Sequence, residues 1–217
     1  GATVVTMRGD EIVENADVVV RAGRVAFVGR RGDAPVPVGA RVIDVAGKVI
    51  VPGFIDLHAH IGVTPDLLQP EWTGGFANLA YGITTLRDPQ APPDIFAVAD
   101  IIDADGVPAP RVFSTGPALA LSFSGGHYTG TSLQSLDEVR QAMRTYRDEY
   151  DTRYLKSYLI GNRQQRQWVV QAARELGLLV TTEGGADAKA NLTHAMDGFA
   201  GNEHALPVAP LYDDVVQ

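Results

Sequence analysis

The sequence predicts an α/β protein: a (β/α) barrel of the TIM type, truncated to about six strands and preceded by a small all-β segment. Three observations lead there. From Val49 onward, apolar strand-like runs alternate with helical stretches, the pattern of βα units on a parallel sheet. Strand ends fall near residues 60, 88, 118, 158, 184 and 205, so each unit takes about 20 to 40 residues, which suits such a barrel. Residues 1–48, by contrast, hold short β-rich runs without helical periodicity.

The elements follow in order. "ATVVTM", "ADVVVRAG", "RVAFVG" and "RVIDVAG" are separated by turn-forming clusters and read as a small β-meander. Two "RGD" tripeptides, at 8–10 and 31–33, sit in those clusters and are read as hairpin connections. The barrel strands are "VIVPGFIDLHAH", "ITTLRD", "RVFSTGPA", "YLKSYLI", "LLVTTEGG" and "FAGNEHALP". Helices are expected in "QPEWTGGFANLAYG", "PDIFAVADIIDADG", "SLDEVRQAMRTYRDEY", "NRQQRQWVVQAARELG" and "AKANLTHAMDG". In the fourth of these, Asn162 can cap the start, Gly177 can stop the end, and Trp168, Ala172 and Leu176 recur at helical spacing. The domains are accordingly 1–48 and 49–217. A complete eight-stranded barrel takes about 250 residues, so roughly two strands are expected to lie outside this chain, which also begins without Met.

Composition narrows the function classes. The chain has 217 residues, 45% hydrophobic and 20% charged, enough apolar material for a substantial core. A net charge of -8 and a pI near 5.0 argue against a nucleic-acid partner, since phosphate binding needs clustered Lys and Arg. The arginines of "NRQQRQW" are read as a solvated helix face. With no cysteine, any metal must be held by His, Asp, Glu or a modified Lys. No apolar run approaches the roughly 18 residues of a membrane span, and the first residues show no basic region followed by a short apolar one. Localisation stays open between the cytoplasm and an exported compartment.

In a parallel barrel the chemistry sits at the carboxyl ends of the strands. His58 and His60 end the first strand, where i and i+2 share a face; Asp88 ends the second, Lys156 lies in the fourth, Glu183 ends the fifth and His204 the sixth. A catalytic divalent ion generally takes three or more protein ligands, and these strand ends can supply them. Lys156 lacks a lone pair as an ammonium, but a deprotonated lysine can add carbon dioxide and become a carbamate able to bridge two ions. Glu183 could instead cap the following helix, Asp88 is read as pairing with Arg87 or a backbone amide, and His194 is given no role.

"VPGFIDLHAH", "YGITTLRD", "LKSYLIG" and "NEHALP" resemble the strand motifs of the amidohydrolase superfamily, in the branch of imidazolonepropionase and the Xaa-Pro dipeptidase-like enzymes. "GNRQQRQW", "TTEGG" and "NEHALPVAPLYDDVVQ" are similar to a bacterial subgroup in which this region follows a TolB-like β-propeller. The resemblance implies that residues 1–48 are part of a composite β-sandwich. It implies two divalent metal ions, zinc first and manganese or iron second: His58 and His60 on one, His204 on the other, and Lys156 as the carboxylated bridge. Glu183 stands where the family has histidine, and as a harder, anionic ligand it would change metal preference. His127 and Tyr128 in "SGGHYTG" are the implied substrate contacts, and the catalytic Asp of the eighth strand is expected beyond residue 217. The implied function is metal-dependent hydrolysis of amide or peptide-like C–N bonds. The alternatives are an inactive portion of such an enzyme and a non-catalytic binding domain on the same fold. The expected partners are a small or peptide-like substrate and either a further barrel segment or a second copy covering the open strand edges.

Overall fold

A computed structural model describes residues 1–62, 72–104, 107–120, 133–158, 161–185 and 187–204. The chain forms two compact units, Gly1–Gly53 and Phe54–Gln217. The division falls five residues later than the expected 48/49 boundary. Its cause is Pro52-Gly53: the run "VIVPGFID" is cut there into two short strands, the first of which stays with the N-terminal sheet.

In the first unit, β1 (Ala2–Val5), β2 (Ile12–Arg21), β3 (Arg24–Arg30) and β4 (Val49–Ile50) form one sheet of order β3-β2-β1-β4. β1, β2 and β3 pair antiparallel in succession, as expected of a meander, whereas β4 joins β1 in parallel. Ala22 and Gly23 close the β2–β3 hairpin with φ values of 49° and 70°, the two positive angles that a tight hairpin turn demands. "RVIDVAG" forms no strand: the place beside β1 is taken by Val49–Ile50, and Val42 and Ile43 remain exposed. Both "RGD" segments lie in turns.

The second unit alternates strands and helices: β5 (Phe54–Asp56), α1 (Thr73–Ala80), β6 (Ile83–Asp88), α2 (Asp94–Asp103), β7 (Arg111–Ser114), α3 (Leu136–Asp148), β8 (Tyr154–Ser157), α4 (Arg163–Leu176), β9 (Leu179–Gly184), α5 (Ala188–Asp197) and β10 (Gly201–His204). β5-β6-β7 and β8-β9-β10 are two parallel sheets in chain order. Leu119, just past β7, bridges them by donating its N–H to Lys156 O and accepting from Tyr158 N–H, both at 2.8 Å. One face of each strand packs on helices. Leu86 and Val112 meet Ile95 and Ile102, while Leu155 and Val180 meet Val139, Met143, Val169 and Val170. Each such side chain contributes about 1.5–3 kcal/mol by leaving water.

The helix ends follow the sequence signals. Asn162 and Gln165 form a reciprocal capping box, and Gly177 ends α4 in the left-handed conformation. The "NRQQRQW" face is less solvated than expected: Arg163 lies 2.9 Å and Arg166 3.8 Å from the buried carboxylate of Asp197, and Gln165 donates to Leu133 O. No helix among the described residues is long and apolar enough to cross a membrane.

Candidate functional site

Alternation along the strands decides what faces the helices and what turns away from them. Val180 enters the core of the second unit, so Thr181 and Glu183, one and three residues on, project from the opposite face of β9. Leu86 and Leu155 likewise leave Arg87 and Lys156 on the face away from the helices. On β10, Glu203 reaches the same region, accepting from Arg87 and Thr181.

His58 and His60 lie past the strand rather than on it. β5 stops at Asp56, whose carboxylate accepts the His58 N–H at 3.0 Å and turns the chain. Ala59 N–H still donates to Arg87 O, keeping the segment alongside β6. The histidines meet all the same: the His58 ring centroid lies 5.1 Å from that of His60 and 4.6 Å from that of His204. Glu183 Oε1 is 3.4 Å from His204 Nε2. Five expected site residues, His58, His60, Lys156, Glu183 and His204, therefore gather in one region. His127 and Tyr128 lie outside the described residues.

Lys156 is 1% exposed, and its Nζ sits 2.6 Å from Glu183 Oε2 and 5.4 Å from the centroid of the Tyr158 ring. Lys156 and Glu183 form a close ion pair. Glu183 does not cap α5; Asp187 does, accepting from Lys189 and Ala190 N–H. Asp88 is buried, accepts from the N–H groups of Ile61 and Gln90 at 2.7 Å, and lies 3.9 Å from His60 Nδ1. It thus ties down backbone, as expected, but Arg87 is directed elsewhere.

That destination is Glu203, which the sequence reading passed over. Arg87 grips it with both terminal nitrogens, at 3.0 and 2.9 Å, and His58 Nδ1 lies 3.0 Å from Oε2. Burial of Glu203 opposes ionisation, but hydrogen bonds from Arg87 and Thr181, the Arg87 charge and the contact with His58 together hold its carboxyl below the usual value. The signal was the Glu of "NEH", a charge on a short strand that needs a partner.

The donor types suit a divalent ion that takes nitrogen and oxygen ligands. His58 Nε2 is buried and lacks a hydrogen-bond partner. As they stand, no three His, Asp or Glu donors among the described residues are grouped to hold one. Glu183 is engaged by Lys156, a cation supplied by the protein.

No family model matches the chain. A 5-methylthioadenosine/S-adenosylhomocysteine deaminase of Symbiobacterium thermophilum is 30% identical over 175 residues, 67% of this chain and 38% of the relative. An imidazolonepropionase of Deinococcus radiodurans is 26% identical over 180 residues, 82% and 44% of the respective chains. Among solved structures, molinate hydrolase matches with a TM-score of 0.70 at 16% identity, over 100% of this chain and 59% of its own. The chain thus spans less than half the length of these curated relatives.

Proposed function

The chain is a homologue of amidohydrolase-superfamily enzymes, and from that premise we propose that it carries half of the active site of a metal-dependent hydrolase of amide or peptide-like C–N bonds. The six parallel strands in chain order are, on this reading, six strands of a (β/α) barrel, and the N-terminal sheet is part of a composite β-sandwich. The observation that carries the proposal is the buried, unpartnered Nε2 of His58, beside the rings of His60 and His204.

On this reading His58 and His60 would hold one ion and His204 and Glu183 a second, with Lys156, as a carbamate, a further oxygen ligand. Two ions of zinc, or of manganese or iron, would polarise the scissile carbonyl and activate a water. The residues' own part begins with Lys156. Its free amine, formed by loss of one proton, would add carbon dioxide and lose a second, so that counted from the ammonium the side chain passes from +1 to -1. Glu183 then loses its cationic partner and faces an anion, an arrangement stable only with a cation between them. The proton shuttle and most substrate contacts come from outside the described residues, His127 and Tyr128 among them.

A second reading has an observation of its own. The Lys156–Glu183 pair neutralises both charges without any ion, as suits a non-catalytic binding domain on this fold. Zinc titration against a competing chelator separates the two. The enzyme reading expects tight binding that His58→Ala and His204→Ala each weaken by at least tenfold; a wild-type chain that binds no zinc leaves the binding-domain reading.

A further inference from the structure

Four donors meet the Glu203 carboxylate. Arg87 Nη2 and Thr181 Oγ1 donate to Oε1; Arg87 Nη1 donates to Oε2, which also faces His58 Nδ1. A carboxylate offers about four lone-pair positions, so every acceptor site is used. The side chain is 5% exposed, which leaves little room for water to replace any donor. Arg87 Nη1 also reaches Leu57 O at 3.3 Å, next to His58 in sequence. One guanidinium on β6 thus fixes Glu203 on β10, 116 positions further along the sequence, and touches the segment that carries His58.

An ionised carboxylate can only accept, so the short contact at Nδ1 requires that this nitrogen carry the proton. In the neutral ring the lone pair then lies on Nε2, the atom that is buried and unpartnered. We propose that Glu203, clamped by Arg87 and Thr181, is a positioning residue that locks His58 in the Nδ1–H form and so presents the Nε2 lone pair to the site between His60 and His204. The use of that lone pair rests on the metal reading above; the locked tautomer does not. Carboxylates that hold the far nitrogen of a ligand histidine typically change metal affinity by roughly 10–100-fold when removed.

The bland alternative is that Arg87 and Glu203 merely tie β6 to β10 and that His58 is a bystander. Nitrogen-detected NMR of the metal-free 217-residue chain, held in EDTA at a pH well above the ordinary histidine value of about 6.5, distinguishes them. The His58 signals are assigned by loss in His58→Gln. In the wild-type chain Nδ1 should be protonated and Nε2 bare in at least nine molecules of ten, a result that needs no variant to fold. An even mixture, or a protonated Nε2, overturns the proposal. Glu203→Ala, if its amide spectrum remains folded, should shift most of the population to the Nε2–H form and weaken zinc binding by roughly 10–100-fold. An unchanged tautomer in that variant also overturns it, and so does a shifted tautomer with unchanged zinc affinity. A locked Nδ1–H tautomer in a chain that binds no zinc supports the lock and removes the metal reading instead.

Discussion

Replacing Glu183 by Gln tests the Lys156–Glu183 pair while changing shape least. Lys156 is 1% exposed and its side chain has one carboxylate beside it at 2.6 Å, so the substitution leaves a buried ammonium facing a neutral amide. Breaking a buried pair in this way costs about 3–5 kcal/mol. Two features reduce the figure. The Glu183 side chain is 24% exposed, which lets water reach the vacated position, and the Tyr158 ring face near Nζ retains roughly 0.5–1 kcal/mol of cation–π attraction. The expected cost is therefore about 2–4 kcal/mol. With a urea slope of about 1–3 kcal/mol per molar, the midpoint should fall by roughly 1–2 M. Both tryptophans, Trp72 and Trp168, lie in the second unit, so their fluorescence in EDTA follows that unit alone. The paired change Lys156→Met with Glu183→Leu should recover most of the loss, because apolar replacement of a buried pair is often neutral or stabilising. A Glu183→Gln midpoint within about 0.2 M of wild type, or a double variant as unstable as the single one, would refute the reasoning.

Two further outcomes follow from the same structure. Gly184 has φ 69°, and a Cβ there would lie 2.8 Å from His204 O, so Gly184→Ala should cost about 1–3 kcal/mol and disturb the pairing of β9 with β10; an unchanged urea midpoint contradicts it. Phe54, Ile55 and Leu57 are 60%, 62% and 66% exposed, and β5 ends its sheet among the described residues, so the isolated chain should self-associate; light scattering should show this and Ile55→Lys should reduce it, whereas a wild-type monomer at all concentrations contradicts it.

The alternation of strands and helices was legible in the sequence because each βα unit carries its own periodicity and caps, as Asn162 and Gly177 show. The site histidines were legible for a partly mistaken reason. "HAH" was read as strand, yet an Asp56 turn and one backbone bond to β6 bring the rings together. The apolar run 49–57 gives no sign, apart from Pro52-Gly53, that its two halves pair with different sheets. The partners of Glu203 were not legible, for a deeper reason. Arg87, Thr181 and His58 lie 116, 22 and 145 residues away, and only the closure of successive strands brings them to one carboxylate. Glu183 was legible as a departure from the histidine expected there, but its pairing with Lys156 is a property of the folded site.

The central claim is that Lys156 exchanges its ion pair with Glu183 for a carbamate held between two metal ions. Native mass spectrometry of the zinc-loaded chain, with bicarbonate present, reads both at once. The account predicts two zinc ions together with an added mass of about 44 Da that disappears on acidification, in EDTA and in Lys156→Met. A zinc-saturated chain without that added mass, or a chain that takes up no zinc while Lys156 remains paired with Glu183, would contradict it.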